Sequence, residues 1–376
     1  MTLDKEFIIP DELLPNDGRF GSGPSLVRRE AVTALAEISE TYLGTSHRQD
    51  PVKNMVGRLR TGLAQLFSLP EGWEIILGNG GSTLFWDAVT FGLIESSSQH
   101  LVFGEFSSKF AQAVTKAPHL GNPEIIESEP GDAPSLRQSN VDTYAVTHNE
   151  TSTGVSIPIQ RVPDVSSSDA LVLVDATSAA GGMTWDPSEA DCYYFAPQKC
   201  FGSDGGLWIA ACSPAAISRI EKISTSNRWI PAGLDINTAL VNSRKNQTYN
   251  TPALSTIFLM VHQVDWMNNN GGLDWAAERS NRSSSHIYDW ADRHQYAAPF
   301  VNDVELRSPV VATIDLAEEV EADVVIDICR QNGILDIAGY RKLGRNQLRI
   351  ATFPAIEFED VRLLTKSLDY VIGNLL

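Results

Sequence analysis

Hydrophobic positions along this chain follow two different periods, and the change falls near residue 70. In SLVRREAVTALAEISETYL, residues 25–43, Val27, Val32, Leu35, Ile38 and Leu43 recur at the three-to-five-residue spacing of one helix face. VKNMVGRLRTGLAQLFSL, residues 52–69, repeats that spacing. Beyond it the pattern becomes short unbroken apolar runs: EIILGNG (74–80), HLVFGEF (100–106), TYAVTHNE (143–150), ALVLVDATSA (170–179) and DCYYFAP (191–197). Runs this short, apolar on both faces and separated by stretches long enough for helices, predict a mostly parallel sheet covered on both sides. The expected class is therefore α/β.

The two ends of the chain read differently. The first twenty residues hold two prolines and Asn16-Asp17-Gly18, which predicts an extended arm leading into Gly21-Ser22-Gly23-Pro24-Ser25. After about residue 262 a tryptophan-rich helical stretch is followed by the alternating runs SPVVATIDL and NQLRIATF, the pattern of a smaller α+β domain. The expected division is an arm over 1–25, a large domain over 26–261 and a small domain over 262–376. The chain contains no internal repeat and no low-complexity tract.

Charge narrows the possible partners. The 29 Lys and Arg stand against 47 Asp and Glu, a formal net charge of −18, which opposes binding to nucleic acid or to an anionic membrane. A small anionic substrate then needs its own local pocket of Arg, Lys and His. Cys192, Cys200, Cys212 and Cys329 lack metal-type spacing, so no metal site is expected and a reduced, cytoplasmic protein is the simplest reading. The N-terminal segment lacks signal-peptide regions, and no stretch approaches the roughly 20 apolar residues of a membrane span.

Ligands of open parallel sheets gather at the carboxyl ends of the strands. EIILG ends in Asn79-Gly80-Gly81-Ser82-Thr83 before a helix-like LFWDAVTFGLI, an arrangement that brings backbone N–H groups to an anion such as phosphate. ALVLVD ends in Asp175, and Lys199 follows the next apolar run. A lysine at the end of a buried strand costs free energy unless it is paired or loses its proton. An acid for a protonated ring nitrogen and a lysine for a Schiff base are the two requirements of pyridoxal 5′-phosphate chemistry. Each element alone is ordinary; phosphate loop, acid and lysine in this order point to that cofactor.

Gly21-Ser22-Gly23-Pro24-Ser25, Thr45-Ser46-His47-Arg48, Asn149-Glu150-Thr151, Asp175, Gln198-Lys199, Asn250-Thr251-Pro252 and Gly339-Tyr340-Arg341 through Arg349 together resemble the phosphoserine aminotransferase family, from about residue 16 to the end. The resemblance implies a fold-type I, pyridoxal-phosphate-dependent transaminase, a homodimer with its active site at the subunit interface. It implies catalytic roles for Lys199, as Schiff-base lysine, and Asp175, at the ring nitrogen. Gly81, Ser82, Phe106, Thr151, Thr177 and Gln198 would complete the cofactor site, with Asn250 and Thr251 reaching over from the neighbouring subunit. Phe106 stands where some members of the family stack a tryptophan. Ser22, His47, Arg48, Arg341 and Arg349 would bind substrate, with Arg349 taking the substrate carboxylate and His47, Arg48 and Arg341 supplying positive charge to the distal phosphate or to the side-chain carboxylate of glutamate. The implied reaction exchanges an amino group between L-glutamate and 3-phosphohydroxypyruvate, giving 2-oxoglutarate and O-phospho-L-serine in serine biosynthesis. Two cationic centres suit a substrate with two anionic ends.

Three other functions fit parts of the pattern. A cysteine desulfurase would use Cys329 as a nucleophile, although Val325, Ile328 and Cys329 can share one apolar helix face. A glyoxylate transaminase would not need His47 and Arg48. A noncatalytic binding protein would not need Asp175 and Lys199.

Overall fold

The computed structural model describes residues 7–162 and 170–376; the first six residues of the expected arm lie outside them. After the arm come helices α1 (Arg29–Glu37), α2 (Ser39–Tyr42) and α3 (Asp50–Leu66). The large lobe continues with β1 (Glu74–Asn79), α4 (Ser82–Gly92), β2 (Ser98–Val102), α5 (Glu105–Thr115), β3 (Glu124–Glu127), β4 (Thr143–Thr147) and the short pair β5 (Asn149–Glu150) and β6 (Val155–Ser156). Then follow β7 (Leu171–Asp175), β8 (Cys192–Phe195), β9 (Leu207–Cys212), α6 (Pro214–Ser224), α7 (Ile236–Ser243) and α8 (Leu254–Asn269). The second lobe holds α9 (Gly272–Asp292), β10 (Ala297–Pro299), β11 (Val311–Leu316), α10 (Ala322–Gln331), β12 (Gln347–Ala351) and α11 (Phe358–Leu375).

The main sheet has the order β1-β9-β8-β7-β4-β2-β3. Its pairs are parallel from β8 through β3, while β9 runs antiparallel to both β8 and β1. Successive side chains leave a strand on opposite faces, so Tyr193 and Phe195 enter one core with α3 and α8 while Cys192 and Tyr194 enter the other with α4, α6 and α7. Both faces are covered, which explains the unbroken apolar runs.

β9, a fully buried apolar run, adds a strand to the five expected from the sequence. β3 adds another: this edge strand is largely exposed, with Ile125 half in solvent, and carries no burial pattern.

The helix expected from residue 25 begins only at Arg29. Residues 25–28 stay extended, with the Ser25 N–H donating to the Gln198 carbonyl at 2.9 Å. Val32 and Leu43, expected on its buried face, are 49 % and 37 % exposed. The expected division at residue 262 falls inside α8, which runs through it unbroken; Val264 and Met267 share a core with Leu59 and Leu63. The antiparallel sheet β10-β11-β12 forms a separate core with α9, α10 and α11. Ile9 and Phe20 of the arm belong to that second core.

Candidate active site

β7 ends at Asp175, β1 ends just before Gly81, and the loop after β8 carries Lys199. Their ends meet around a cavity of about 390 Å³. Gly81, Ser82, Phe106, Thr151, Asp175, Thr177, Gln198 and Lys199 all line it, so every expected cofactor residue except Asn250 and Thr251 is gathered there.

Lys199 is buried, and its Nζ donates to Thr151 Oγ1 at 2.9 Å. The same nitrogen lies 5.5 Å from the centre of the Phe106 ring. Burial, followed by the nearby Arg349 charge, pulls its pKa down to about 8. A depressed amine pKa is what a nucleophilic lysine requires. The arm fixes the loop that carries it: Ser25 Oγ donates to the Lys199 carbonyl at 2.6 Å. Gly23, at φ +141°, packs so closely that a Cβ there would lie 3.0 Å from Lys199 Cε.

Asp175 is buried, which raises its pKa, while donors around it oppose the shift. The Thr177 N–H donates to Oδ1 at 2.9 Å, and Trp86 Nε1–H donates to Oδ2 at 2.9 Å. Thr177 Oγ1 lies 2.5 Å from Oδ1 and 2.7 Å from Ser82 Oγ. One hydroxyl has one proton, so Thr177 gives it to the carboxylate and takes that of Ser82. Oδ2 keeps an acceptor position for one more donor from the cavity.

Thr151 Oγ1 also donates to Ser178 Oγ at 2.8 Å, which accepts from Asn149 Nδ2 at 2.8 Å. Asn149 Oδ1 and Gln198 Oε1 are buried without any protein partner. Buried polar atoms normally find partners, so these two belong to a site shaped for a polar ligand. At the cavity's other end α4 starts at Ser82 with no side chain capping it, leaving its first N–H groups for an anion. Gly80, at φ +119°, makes the turn; a Cβ there would come within 2.5 Å of Leu84 Cδ2. A donor facing Asp175, polar groups facing Asn149 and Gln198, and an anion at α4 match pyridoxal 5′-phosphate.

Arg349, on β12, enters from the second lobe. Its Nη1 donates to the Thr151 carbonyl at 3.3 Å, and its guanidinium carbon lies 5.3 Å from the Tyr340 ring centre. Its Nε is buried without a partner, and no carboxylate pairs with it among the described residues. A cation held beside Lys199 with free donors is a receptor for a carboxylate. Ser22 is buried in the arm loop next to Gly23.

None of the five expected substrate residues is in the cavity wall itself: Arg349 and Ser22 adjoin it through Thr151 and Gly23, and the other three lie farther out. His47 Nδ1 lies 3.1 Å from Thr251 Oγ1, and Arg48 donates to Gln247 Oε1 and, at 3.5 Å, to the Tyr249 carbonyl. Asn79 Nδ2 ties this group to the end of β1 through the Thr251 carbonyl at 2.9 Å. His47, Arg48, Asn250 and Thr251 therefore form a rim beyond the α4 start. Arg341 is exposed on a one-turn segment whose neighbour Lys342 pairs with Glu105.

Sequence reasoning missed two supporting residues. Glu150 is fully buried and accepts from the N–H groups of Phe106 at 3.1 Å and Ser107 at 2.9 Å, which caps α5 and fixes Phe106. Its place inside Asn149-Glu150-Thr151 was the available signal. Trp86 follows Ser82 by four residues, one helical turn along α4, and that spacing could have placed it on the cavity side.

The Aminotransferase class-V family model matches residues 20–343. The chain belongs to the class-V aminotransferase family. A Nocardioides relative named phosphoserine aminotransferase is 55 % identical over 368 residues, spanning 98 % of each chain. The solved phosphoserine aminotransferase of Cytophaga hutchinsonii superposes with a TM-score of 0.85 at 25 % identity, covering 95 % of this chain and all of its own. A structure of the Trichomonas vaginalis phosphoserine aminotransferase with pyridoxal phosphate bound has the same fold, with a TM-score of 0.80 at 19 % identity over 94 % of this chain and all of its own. Class-V aminotransferase chemistry implies pyridoxal 5′-phosphate, the group the cavity fits. In this class-V aminotransferase Cys329 is a core residue: it is fully buried on α10 with Val325 and Ile328, and burial pushes its thiol up to about 12. Cys329→Ser is expected to leave turnover within twofold of the parent, as measured by steady-state transamination; near-total loss would restore the desulfurase reading.

Proposed function

We propose that the chain is a phosphoserine aminotransferase, exchanging the amino group between L-glutamate and 3-phosphohydroxypyruvate. The observation that carries this reading is Arg349, a part-buried guanidinium whose Nε is buried without a partner, beside the nucleophilic Lys199, in a chain 55 % identical over 368 residues to a relative of that name. Pyridoxal 5′-phosphate, when bound, supplies the carbon that carries the amino group and an electron sink for the charge left at the substrate α-carbon.

Lys199 would attach the cofactor and, once displaced, take the proton from the substrate α-carbon and deliver it to the cofactor carbon that receives the amino group, the reverse half-reaction carrying a proton back to the α-carbon of the second substrate. Asp175 presents its negative charge to the ring nitrogen and keeps it protonated. Phe106 would form one wall against the ring, and the α4 start would hold the cofactor phosphate. Arg349 orients the substrate α-carboxylate. His47 and Arg48 would meet the distal phosphate, or the side-chain carboxylate of glutamate, from the rim, and Arg341 from its exposed turn on the second lobe.

The rim residues complete the site in a homodimer, with Asn250 and Thr251 supplied by the neighbouring subunit. Exposed Leu84 and Tyr249, at 37 % and 44 %, support a covered face near the α4 start and the rim. Four free thiols fit a cytoplasmic setting. Among the described residues no helix is long and apolar enough to cross a membrane.

The test is a half-reaction. O-phospho-L-serine, added to the holoenzyme without a keto acid, should remove the cofactor's visible band rapidly, with alanine and cysteine far slower. Removal by alanine alone would favour a glyoxylate-type transaminase. Arg48→Ala should lower kcat/KM for phosphoserine roughly 10- to 150-fold, the effect of losing about 1.5–3 kcal/mol of charge-assisted bonding. Alanine should change by less than twofold, and an equal loss for both amino acids would remove Arg48 from the distal-anion site.

A further inference from the structure

Trp86, so far described only as a donor to Asp175, stands at the junction of α4, α5 and the ring-nitrogen acid. It stands one turn into α4, the helix whose first N–H groups face the phosphate end, and it lines the cavity. Its indole is 4 % exposed and stacks on Phe110, at 6.3 Å between ring centres and 19° between planes. Phe110 belongs to α5, the helix that carries Phe106. Its single polar atom, Nε1, is spent on Asp175 Oδ2 at 2.9 Å.

We propose that Trp86 is a positioning residue for the ring-nitrogen acid: its indole N–H pins the Asp175 carboxylate and keeps it ionised towards the cofactor. The inference rests on the aminotransferase reading. Phenylalanine or leucine could fill the same apolar space between α4 and α5. Among the described residues Trp86 Nε1–H is the donor bonded to Oδ2; the buried Tyr194 hydroxyl lies close to both groups but makes no hydrogen bond, and Thr177 approaches Oδ1. Two effects follow from that bond. The carboxylate cannot rotate away from the cavity, since each oxygen is held by a separate element, Oδ1 by the turn after β7 and Oδ2 by α4. The bond also opposes the desolvation that raises the affinity of Asp175 for a proton. Without it the buried carboxylate competes more strongly for the proton on the ring nitrogen, and a ring nitrogen that loses its proton is a weaker electron sink.

Trp86→Phe keeps the ring against Phe110 and removes only the N–H. The holoenzyme should lose on the order of 3- to 30-fold in kcat while KM for phosphoserine changes less than twofold, the pattern of an interaction that matters in the transition state. A second readout does not depend on turnover: pyridoxamine 5′-phosphate labelled with 15N at the ring nitrogen, bound to both proteins. The native complex should show the protonated-pyridinium shift, and the Trp86→Phe complex should move towards that of unprotonated pyridine. A purely structural role would lower thermal stability and leave both the 15N shift and kcat unchanged, and that result would overturn the proposal.

If Trp86→Phe fails to fold, native protein labelled with 15N-tryptophan serves instead. One of its eight indole N–H signals should shift when pyridoxamine 5′-phosphate binds; eight unmoved signals would overturn the inference. Native protein that does not bind pyridoxamine 5′-phosphate at all would overturn the aminotransferase reading and this inference with it. Normal native turnover with an unaltered Trp86→Phe enzyme would remove only the role of Trp86.

Discussion

Lys199→Ala is expected to fold normally and to transaminate at least about 10,000-fold more slowly than the parent, the upper range for a positioned proton-transfer group. The side chain is buried and makes one hydrogen bond, to Thr151, so its loss leaves a small cavity and removes a desolvated amine. Thermal unfolding should show no large loss of stability, while steady-state transamination should be undetectable; turnover near the parent's would remove Lys199 from catalysis. The depressed pKa adds a pH signature. With its pKa near 8, the free amine grows as pH rises through that value, so covalent attachment of pyridoxal 5′-phosphate to apoprotein should accelerate between about pH 7 and pH 9. Borohydride trapping followed by mass spectrometry measures it, and a flat profile would mean that Lys199 titrates elsewhere. The same shift makes stability rise with pH between about 8 and the ordinary lysine value of 10.5, because the unfolded chain binds the extra proton over that interval.

Arg349→Ala should lower kcat/KM for phosphoserine and for glutamate alike, by roughly 30- to 5,000-fold, the range for truncating one partner of a desolvated charge pair at about 2–5 kcal/mol. Both amino acids carry the same α-carboxylate, so the two losses should agree within a few-fold. Arg349 is itself held at a cost: burial lowers its pKa, and its Nε has no protein partner. Removing it should therefore leave the unliganded fold as stable as before or more so. Unequal losses for the two substrates would reassign Arg349 to the distal end. Arg349→Lys should recover only part of the loss, since an ammonium cannot offer two parallel donors.

The layout of the large lobe was readable because its strands are unusually pure. Five apolar runs named five strands, and each strand end yielded a cavity residue, which is how Asp175, Lys199 and the α4 start emerged from one dimension. Contacts that cross the chain were not readable. Ser25, Glu150 and Trp86 support the site through partners 174, 43 and 89 residues away, and no local period encodes such distances. Val32 and Leu43 misled for a related reason: they obey a helical spacing yet face outward. Arg349 stands out in the sequence because it interrupts an apolar strand, whereas Arg341, exposed on its turn, carries no such contrast.

The seven-residue strap from Gly18 to Pro24 has a bearing on the order of assembly. Leu335 N–H donates to the Gly18 carbonyl at 2.7 Å, Phe20 N–H to the Leu335 carbonyl at 3.2 Å and Ala351 N–H to the Phe20 carbonyl at 3.0 Å, and Ser25 just beyond grips the Lys199 loop. Gly18 and Phe20 are thus seated by Leu335 and Ala351, which are synthesised much later. Domains generally mature from the N-terminus as the chain emerges; here the nucleophile's loop stays unclamped until translation has passed residue 351. Ribosome-stalled chains ending before residue 335 should therefore fail to retain cofactor, while chains released in full should capture it, which makes loading with cofactor an event that follows synthesis.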